Sequence, residues 1–252
     1  MSPSDNTVYL ITGANRGIGY GLAALIAARP NTIVFAGARD PTAQSLKGLV
    51  ARHSNVRPVK FTAGDQADNK AAIAEIEKTA GRLDVLIANA GIAHDIGPLA
   101  TAPLPSFKEH WEVNTFGTVV LFQAAHELLL ASPTGAPIFA YISSGSASIS
   151  RYFPGQMPAY ASSKTAANFL LKVMDAEHPS LIAMAIHPGW VSTDLGNNDA
   201  LPPAPVMVED SVQGIMSRID GATKEKSSGR FWNWRAEHDG MPWQCKTEEI
   251  PW

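Results

Sequence analysis

The stretch Thr12-Gly13-Ala14-Asn15-Arg16-Gly17-Ile18-Gly19 decides the fold of this chain. It begins at the end of an apolar run, residues 8–12, and leads into a segment of helical composition, residues 18–28. Glycine permits a tight turn and lets the backbone approach a ligand without a Cβ atom in the way. The first helical turn offers free N–H groups and a partial positive charge, which suit a pyrophosphate. A strand, a glycine-rich turn and a helix in this order predict a dinucleotide-binding unit.

Beyond this stretch, apolar runs alternate with segments of helical composition along the whole chain. We expect further strands at residues 32–37, 56–61, 83–88, 137–143, 181–187 and 229–234. We expect further helices at residues 44–52, 68–79, 106–130, 160–175 and 211–219. The alternation predicts an α/β chain in which residues 1–252 form a single domain, a doubly wound parallel sheet (Rossmann fold) with helices on both faces. Ligands of such sheets bind at the carboxyl ends of the strands.

Composition excludes several classes of function. With 45% hydrophobic residues and a net charge of −3, the chain can bury a large core and gives no reason to expect nucleic-acid binding. The one cysteine, Cys245, cannot form an intrachain disulfide, and the histidines lack ligand spacing, so we expect no metal site. Residues 1–6 are polar, and no apolar run reaches the ~20 residues that span a bilayer, so we expect a cytoplasmic protein without a membrane partner.

Tyr160 and Lys164 lie four residues apart on a predicted helix, so they share one face of it. Reduction of a carbonyl needs a proton donor at the oxygen, and a tyrosine with the usual pKa of ~10 is a slow donor near neutral pH. A neighbouring ammonium group favours the phenolate and lowers that pKa, and we expect Lys164 to act on Tyr160 in this way. A serine at the end of the fifth strand, Ser143 or Ser144, can orient the carbonyl oxygen.

The glycine-rich turn, Asn89-Ala90-Gly91, Ser143-Ser144, Tyr160-x-x-x-Lys164 and Pro188-Gly189 follow one another at predicted strand ends. This order resembles that of the short-chain dehydrogenase/reductase family over nearly the whole chain. The resemblance implies an NADP(H)-dependent oxidoreductase that interconverts a ketone and an alcohol. The catalytic residues that it implies are Asn114, Ser144, Tyr160 and Lys164. Ser143, Ser146 and Ser148 remain alternatives for the serine, because the gap between Ser144 and Tyr160 is longer than is usual in the family.

The resemblance also implies how a cofactor is held. Asp65 would bond the adenine edge, with capping of the next helix as the alternative, and Asn114 would hold a water linked to Lys164. Val191 and Thr193 would contact the nicotinamide carboxamide and the diphosphate, while Asn89 would be largely structural. The predicted cofactor-binding set is Gly13, Asn15, Arg16, Gly17, Ile18, Gly19, Arg39, Asp65, Asn89, Ala90, Gly91, Tyr160, Lys164, Pro188, Gly189, Val191 and Thr193. We expect Ser192 and Asp194 to cap the turn that follows.

The charges after the second strand predict which dinucleotide binds. Arg39 stands where a guanidinium can pair with a 2′-phosphate, and Arg16 in the glycine turn is a second partner for it. Both residues favour NADP(H). Asp40 is the counterargument, since an acid at this place holds the ribose 2′-hydroxyl of NAD.

The segments between these motifs are expected to line the substrate pocket: residues 94–97, 152–158, Trp190 and 195–207. Their aromatic and apolar side chains favour a lipophilic or aromatic ketone, with plain loop packing as the alternative. The Val-Tyr-Leu-Ile-Thr-Gly start and the Ile-Ser-Ser-Gly-Ser segment resemble the carbonyl-reductase subgroup with norsolorinic acid ketoreductase-like enzymes, which implies polyketide-type secondary metabolism. Family members form homodimers or homotetramers through the helices at 106–130 and 160–175. A nonenzymatic NADP(H) sensor or scaffold and a non-redox cyclase are the rival functions.

Overall fold

The computed structural model describes residues 6–151, 157–197, 202–235 and 247–252. Within them, seven strands form one sheet: β1 (Thr7–Thr12), β2 (Thr32–Ala38), β3 (Val56–Lys60), β4 (Val85–Ala88), β5 (Ile138–Ile142), β6 (Ile182–His187) and β7 (Arg230–Asn233). The strands are parallel and run across the sheet in the order β3-β2-β1-β4-β5-β6-β7. The order reverses between β1 and β4, which is where a doubly wound sheet opens a crevice for a ligand.

Helices cover both faces of the sheet: α1 (Gly17–Ala27), α2 (Gln44–Arg52), α3 (Gln66–Ala80), α4 (Leu104–His110), α5 (Gly117–Leu130), α6 (Pro158–Glu177), α7 (Val208–Asp220) and α8 (Lys224–Ser227). The side chains of β1 alternate between the two layers, as a buried parallel strand requires. Tyr9 and Ile11 pack with α1, α2 and α7. Val8 and Leu10 pack with α3, α5 and α6. The predicted fold class is confirmed.

The helix predicted at residues 106–130 is present, but it is not α-helical throughout. α4 ends at His110, a π-helical segment follows directly at Trp111–Phe116, and α5 begins at Gly117. A π-helical segment has hydrogen bonds between residues five apart instead of four, and such segments are frequent at functional sites. Hydrophobic periodicity does not reveal such a local change, so the helix was predicted without its π-helical segment. The sequence also gave no sign of α8.

No helix in the described part of the chain is both long and apolar enough to cross a membrane.

Candidate active site

The glycine-rich turn brings the first turn of α1 to the carboxyl end of β1. Gly13 and Gly17 have φ values of 67° and 53°, a region that residues with side chains rarely adopt. A Cβ atom on Gly19 would lie 2.2 Å from the Gly13 carbonyl oxygen, so only glycine lets the helix pack this closely. The N-cap residue Arg16 makes no side-chain bond to the helix, and the first turn of α1 carries no acidic side chain. The turn therefore suits an anionic group such as a pyrophosphate.

Arg16 lies at the outer side of this turn in an ion pair with Asp194. The Arg16 Nη1 and Asp194 Oδ2 atoms are 2.8 Å apart, and both side chains are exposed. In the turn that Asp194 is predicted to cap, the Thr193 hydroxyl accepts the Gly196 N–H bond at 3.1 Å, and the capping role of Asp194 stays a prediction. An exposed ion pair contributes about 0–1 kcal/mol. Arg16 can therefore exchange Asp194 for a phosphate at little cost.

Two exposed residues of opposite charge follow β2. The Asp40 Oδ1 atom accepts bonds from the Thr42 backbone N–H at 2.8 Å and from the Thr42 hydroxyl at 2.6 Å. These bonds lower the pKa of Asp40, so its carboxylate is charged and is hydrogen-bonded within a local turn. This local bonding weakens the alternative in which Asp40 binds a ribose hydroxyl. Arg39, also exposed, comes directly after the last residue of the strand.

Two predicted cofactor residues have clear structural roles. Asp65 is the N-cap of α3, where its Oδ1 atom accepts the Asp68 N–H bond at 2.9 Å. The capping alternative is thus confirmed, and the adenine contact stays a prediction. Asn89 ties β4 to β1, since its Nδ2 donates to the Thr12 carbonyl oxygen at 2.9 Å. The backbone N–H groups of Asn89 and Ala90 both donate to the Thr12 hydroxyl at 3.0 Å.

The two serines after β5 point in different directions. The Ser143 hydroxyl is buried and donates to Asn168 Oδ1 on α6 at 2.7 Å. The Ser144 hydroxyl is hydrogen-bonded to Tyr160 and accepts the Ser146 N–H bond at 3.2 Å. Of the two, Ser144 is the one beside the tyrosine. The Ser148 hydroxyl, another alternative, donates instead to the Pro251 carbonyl oxygen.

Lys164 is buried behind Tyr160. Its Nζ atom donates to the Ile142 carbonyl oxygen at 2.8 Å and lies 4.5 Å from the centre of the Tyr141 ring and 5.9 Å from that of Tyr160. Burial lowers the pKa of Lys164 to about 7, since little water is left to solvate its charge. A Cβ atom on Gly91 would stand 3.0 Å from the Asn114 Oδ1 atom and 3.3 Å from the Lys164 Nζ atom, so Gly91 lies in close contact with both residues.

The expected lowering of the Tyr160 pKa by Lys164 is not what the structure shows. Burial raises the pKa of Tyr160 above its ordinary value, and the hydrogen bond from Ser144 only partly opposes this. The Lys164 Nζ atom lies 5.9 Å from the centre of the Tyr160 ring and does not contribute to this shift of the pKa. Tyr160 is therefore held as a neutral phenol, the form that donates a proton.

Asn114 lies in the π-helical segment, and its side chain is fully engaged. Its Oδ1 accepts the Ile92 N–H bond, and its Nδ2 donates to the Ile92 carbonyl and to the Ser163 hydroxyl, each at 3.0 Å. Its backbone carbonyl accepts bonds from the Thr118 hydroxyl at 2.9 Å and from the Tyr141 hydroxyl at 3.3 Å. Asn114 thus joins the loop after β4 to α6, and the predicted water stays a prediction.

Two aromatic neighbours of the site were missed from the sequence. Tyr141 stands in the middle of an apolar strand, where its type indicates only core packing. His110 is buried with its ring 6.2 Å from that of Tyr160, donates from Nδ1 to the Ser106 carbonyl at 2.7 Å and accepts the His94 N–H bond at 3.2 Å. Its spacing of four from Asn114 was the available signal, because residues four apart share a helix face.

The predicted substrate-pocket segments are described only in part. Residues 152–156 and 198–201 lie outside the described residues, as does Cys245. Trp190 is half-buried, and its Nε1 donates to the Gly196 carbonyl at 2.7 Å. Among the residues that are described, no three His, Cys, Asp or Glu side chains come together as metal ligands do.

Comparison with known proteins gives consistent matches. The model of the short chain dehydrogenase family matches residues 7–202. The norsolorinic acid ketoreductase nor1 of Dothistroma septosporum is 37% identical, over 95% of this chain and 94% of the relative. The norsolorinic acid ketoreductase of Aspergillus parasiticus is 39% identical, over 91% of this chain and 89% of the relative. The solved structure of an NADPH bound carbonyl reductase from chicken fatty liver is similar at a TM-score of 0.86 and 30% identity, covering 98% and 99% of the two chains.

The buried lysine predicts how stability depends on pH. Below pH 7 the folded and unfolded chains both carry the Lys164 proton, and the folded chain bears the cost of a buried charge. Between the folded pKa of about 7 and the ordinary value of 10.5, only the unfolded chain keeps the proton, so stability due to this group rises with pH. We expect Lys164→Met to abolish this rise and to stabilise the protein at pH 6 by on the order of a few kcal/mol.

Urea unfolding at pH 6, 7.5 and 9 measures this dependence. Lys172→Met is the matched control, since Lys172 is an exposed lysine further along α6, and it should keep the rise. An unchanged pH dependence in Lys164→Met would show that the lysine is not the source of the effect.

Proposed function

Because the chain belongs to the short-chain dehydrogenase family, we propose that it is a single-domain, NADP(H)-dependent oxidoreductase that reduces a ketone to an alcohol. The observation that carries this proposal is the buried Tyr160 hydroxyl, hydrogen-bonded to Ser144 and one helical turn from Lys164. The relatives named norsolorinic acid ketoreductase and the similar structure with bound NADPH support the reaction and the cofactor.

The residues of the site divide the work of carbonyl reduction. The bound reduced nicotinamide supplies the hydride. Ser144 donates a hydrogen bond to the carbonyl oxygen and holds it against Tyr160. As negative charge develops on that oxygen, the Tyr160 hydroxyl donates its proton to it, which leaves a phenolate. The ammonium form of Lys164 stabilises that phenolate, because the two groups share one face of α6.

The remaining cofactor contacts follow from the geometry of the strand ends. The first turn of α1 takes the diphosphate, and Arg16 and Arg39 take the 2′-phosphate. Thr193 lies next to this turn, since a Cβ atom on Gly17 would come 3.2 Å from the Thr193 side chain, and Val191 is assigned to the cofactor with it. The relatives' names favour an aromatic, polyketide-type ketone as the substrate.

The tyrosine mechanism is tested with NADPH and a panel of aromatic and polycyclic ketones. We expect Tyr160→Phe to lower kcat by about 10²–10⁴-fold, the usual contribution of a general acid, with the Kd for NADPH changed less than twofold. Ser144→Ala should lower kcat more than tenfold. Ser143→Ala is the matched control, because that hydroxyl is bonded to Asn168, and it should lower stability more than kcat.

Product formation that survives in Tyr160→Phe would refute the tyrosine mechanism. A wild-type protein that binds NADPH without oxidising it would favour the sensor function instead.

Cofactor selection is tested at Arg39. We expect Arg39→Ala to raise the KM for NADPH about 10–100-fold, since a charged hydrogen bond contributes about 1.5–3 kcal/mol, and to change the KM for NADH less than twofold. Arg52→Ala is the control, because Arg52 lies at the far end of α2 and is bonded to the Tyr20 hydroxyl. A wild-type preference for NADH would overturn the assignment of NADP(H) and make Asp40 the selecting residue.

We further propose that the protein forms a homodimer or homotetramer through α5 and α6. Phe116 and Phe169 are 53% and 68% exposed and line one apolar groove with Trp111, Val119 and Leu170. Exposed aromatic patches of this kind are typical of subunit contacts. Light scattering after gel filtration should give a dimer or tetramer for the wild type and a monomer for Phe169→Glu. A monomeric wild type at tens of micromolar would contradict this assembly.

A further inference from the structure

The segment at residues 248–252 extends the sheet beyond β7. The Asn233 N–H donates to the Glu248 carbonyl and the Ile250 N–H to the Phe231 carbonyl, each at 2.7 Å, and Trp232 and Glu249 form an antiparallel bridge. Ile250 is buried, and its neighbour Glu249 pairs with Arg230 at 2.7 Å. These bonds fix the register of the 248–252 segment against the sheet.

Beyond Ile250 the segment leaves the sheet and reaches the loop that carries the catalytic serine, residues 144–151, here called the serine loop. The Ser148 hydroxyl donates to the Pro251 carbonyl. The Ser150 backbone N–H and hydroxyl both donate to the Trp252 carbonyl, at 3.2 and 2.8 Å. The Trp252 ring stacks on Phe231 with 5.7 Å between ring centres, which anchors these acceptors on β7.

The serine loop contains little regular structure. It consists of two single-turn 3₁₀ helices, Gly145–Ala147 and Ile149–Arg151, which are weak structures by themselves. In its first half, the Gly145 N–H donates to His187 Nδ1 at 3.0 Å and the Ala147 carbonyl accepts the Thr165 hydroxyl bond at 2.9 Å. In its second half, the bonds of Ser148 and Ser150 tie the loop to the 248–252 segment.

We propose that Pro251 and Trp252 are positioning residues for catalysis, which rests on the proposed function above. By accepting the bonds of Ser148 and Ser150, they hold the serine loop so that Ser144 faces Tyr160. Ser148 is only 3% exposed, so loss of its acceptor leaves a buried, unpaired hydroxyl that the loop must move to satisfy. A displacement of about 1 Å at a reacting group can cost about 10²-fold in rate.

The experiment compares four variants in the NADPH-dependent reduction of the best ketone. Deletion of residues 251–252 and the double substitution Ser148→Ala with Ser150→Ala should each lower kcat at least tenfold. Both should leave the Kd for NADPH within twofold, because the glycine turn and α1 do not touch this segment. Ser148→Thr, which keeps the hydroxyl, should retain kcat within threefold. Arg230→Ala, which removes only the exposed ion pair with Glu249, should behave as the wild type.

Amide hydrogen exchange provides a readout without substrate. Exchange at Ala147 and Ser148, whose N–H groups bond within the serine loop, should become at least tenfold faster in the deletion and in the double substitution. The double substitution keeps the whole chain, so it tests the inference even if the deletion fails to fold. If the wild type turns over ketone and both variants keep the wild-type kcat and exchange rates, the positioning role is overturned and the proposed function stands. A wild type that turns over no ketone would instead overturn the proposed function.

Discussion

The hydrogen bond from the Lys164 ammonium to the Ile142 carbonyl fixes the relation between α6 and the end of β5, and the catalytic geometry depends on it. A buried lysine costs free energy because its charge loses water. The carbonyl at 2.8 Å and the face of the Tyr141 ring at 4.5 Å offset part of that cost. The remaining free-energy cost of burying the charge is seen in the lowered pKa of Lys164, about 7. The protein thus keeps a group at this position whose value lies in the chemistry and not in the stability of the fold.

The same contact explains why two adjacent serines differ. Side chains alternate along a strand, so Tyr141 and Ser143 both face α6, where they meet Lys164 and Asn168. Ser144 comes one residue later, past the end of β5, and its hydroxyl is bonded to Tyr160. A shift of one residue in the strand would exchange the two roles. The register of β5 against β4 and β6 therefore decides which serine can act on a substrate.

Local patterns in the sequence were sufficient for the sheet and for most of the candidate site. Most strands are apolar runs, and the glycine turn, Asn89 and the two serines follow strands, so the alternation alone placed these residues at one edge of the sheet. Pairings between distant residues were beyond reach. The Arg16–Asp194 pair joins positions 178 apart, and the bonds from Ser148 and Ser150 to residues 251 and 252 span about a hundred. No period or motif marks such contacts. The π-helical segment at Trp111–Phe116 was not predicted either, and its Asn114 bonds to Ile92 and Ser163, which lie 22 and 49 residues away.

Reaction and substrate choice depend on different parts of this fold. Tyr160, Lys164 and Asn114 stand on helical segments packed in the layer of α5 and α6. The polar atoms of Lys164 and Asn114 bond to backbone carbonyls at the end of β5 and in the loop after β4. The segment after β6 is held by contacts of its own, among them the bonds from Trp190 to the Gly196 carbonyl and from the Ser192 N–H to the Val206 carbonyl. Substitutions in that segment can reshape a pocket without moving the proton donor. A chain 37–39% identical to ketoreductases can therefore keep their proton-transfer geometry while it binds a different ketone.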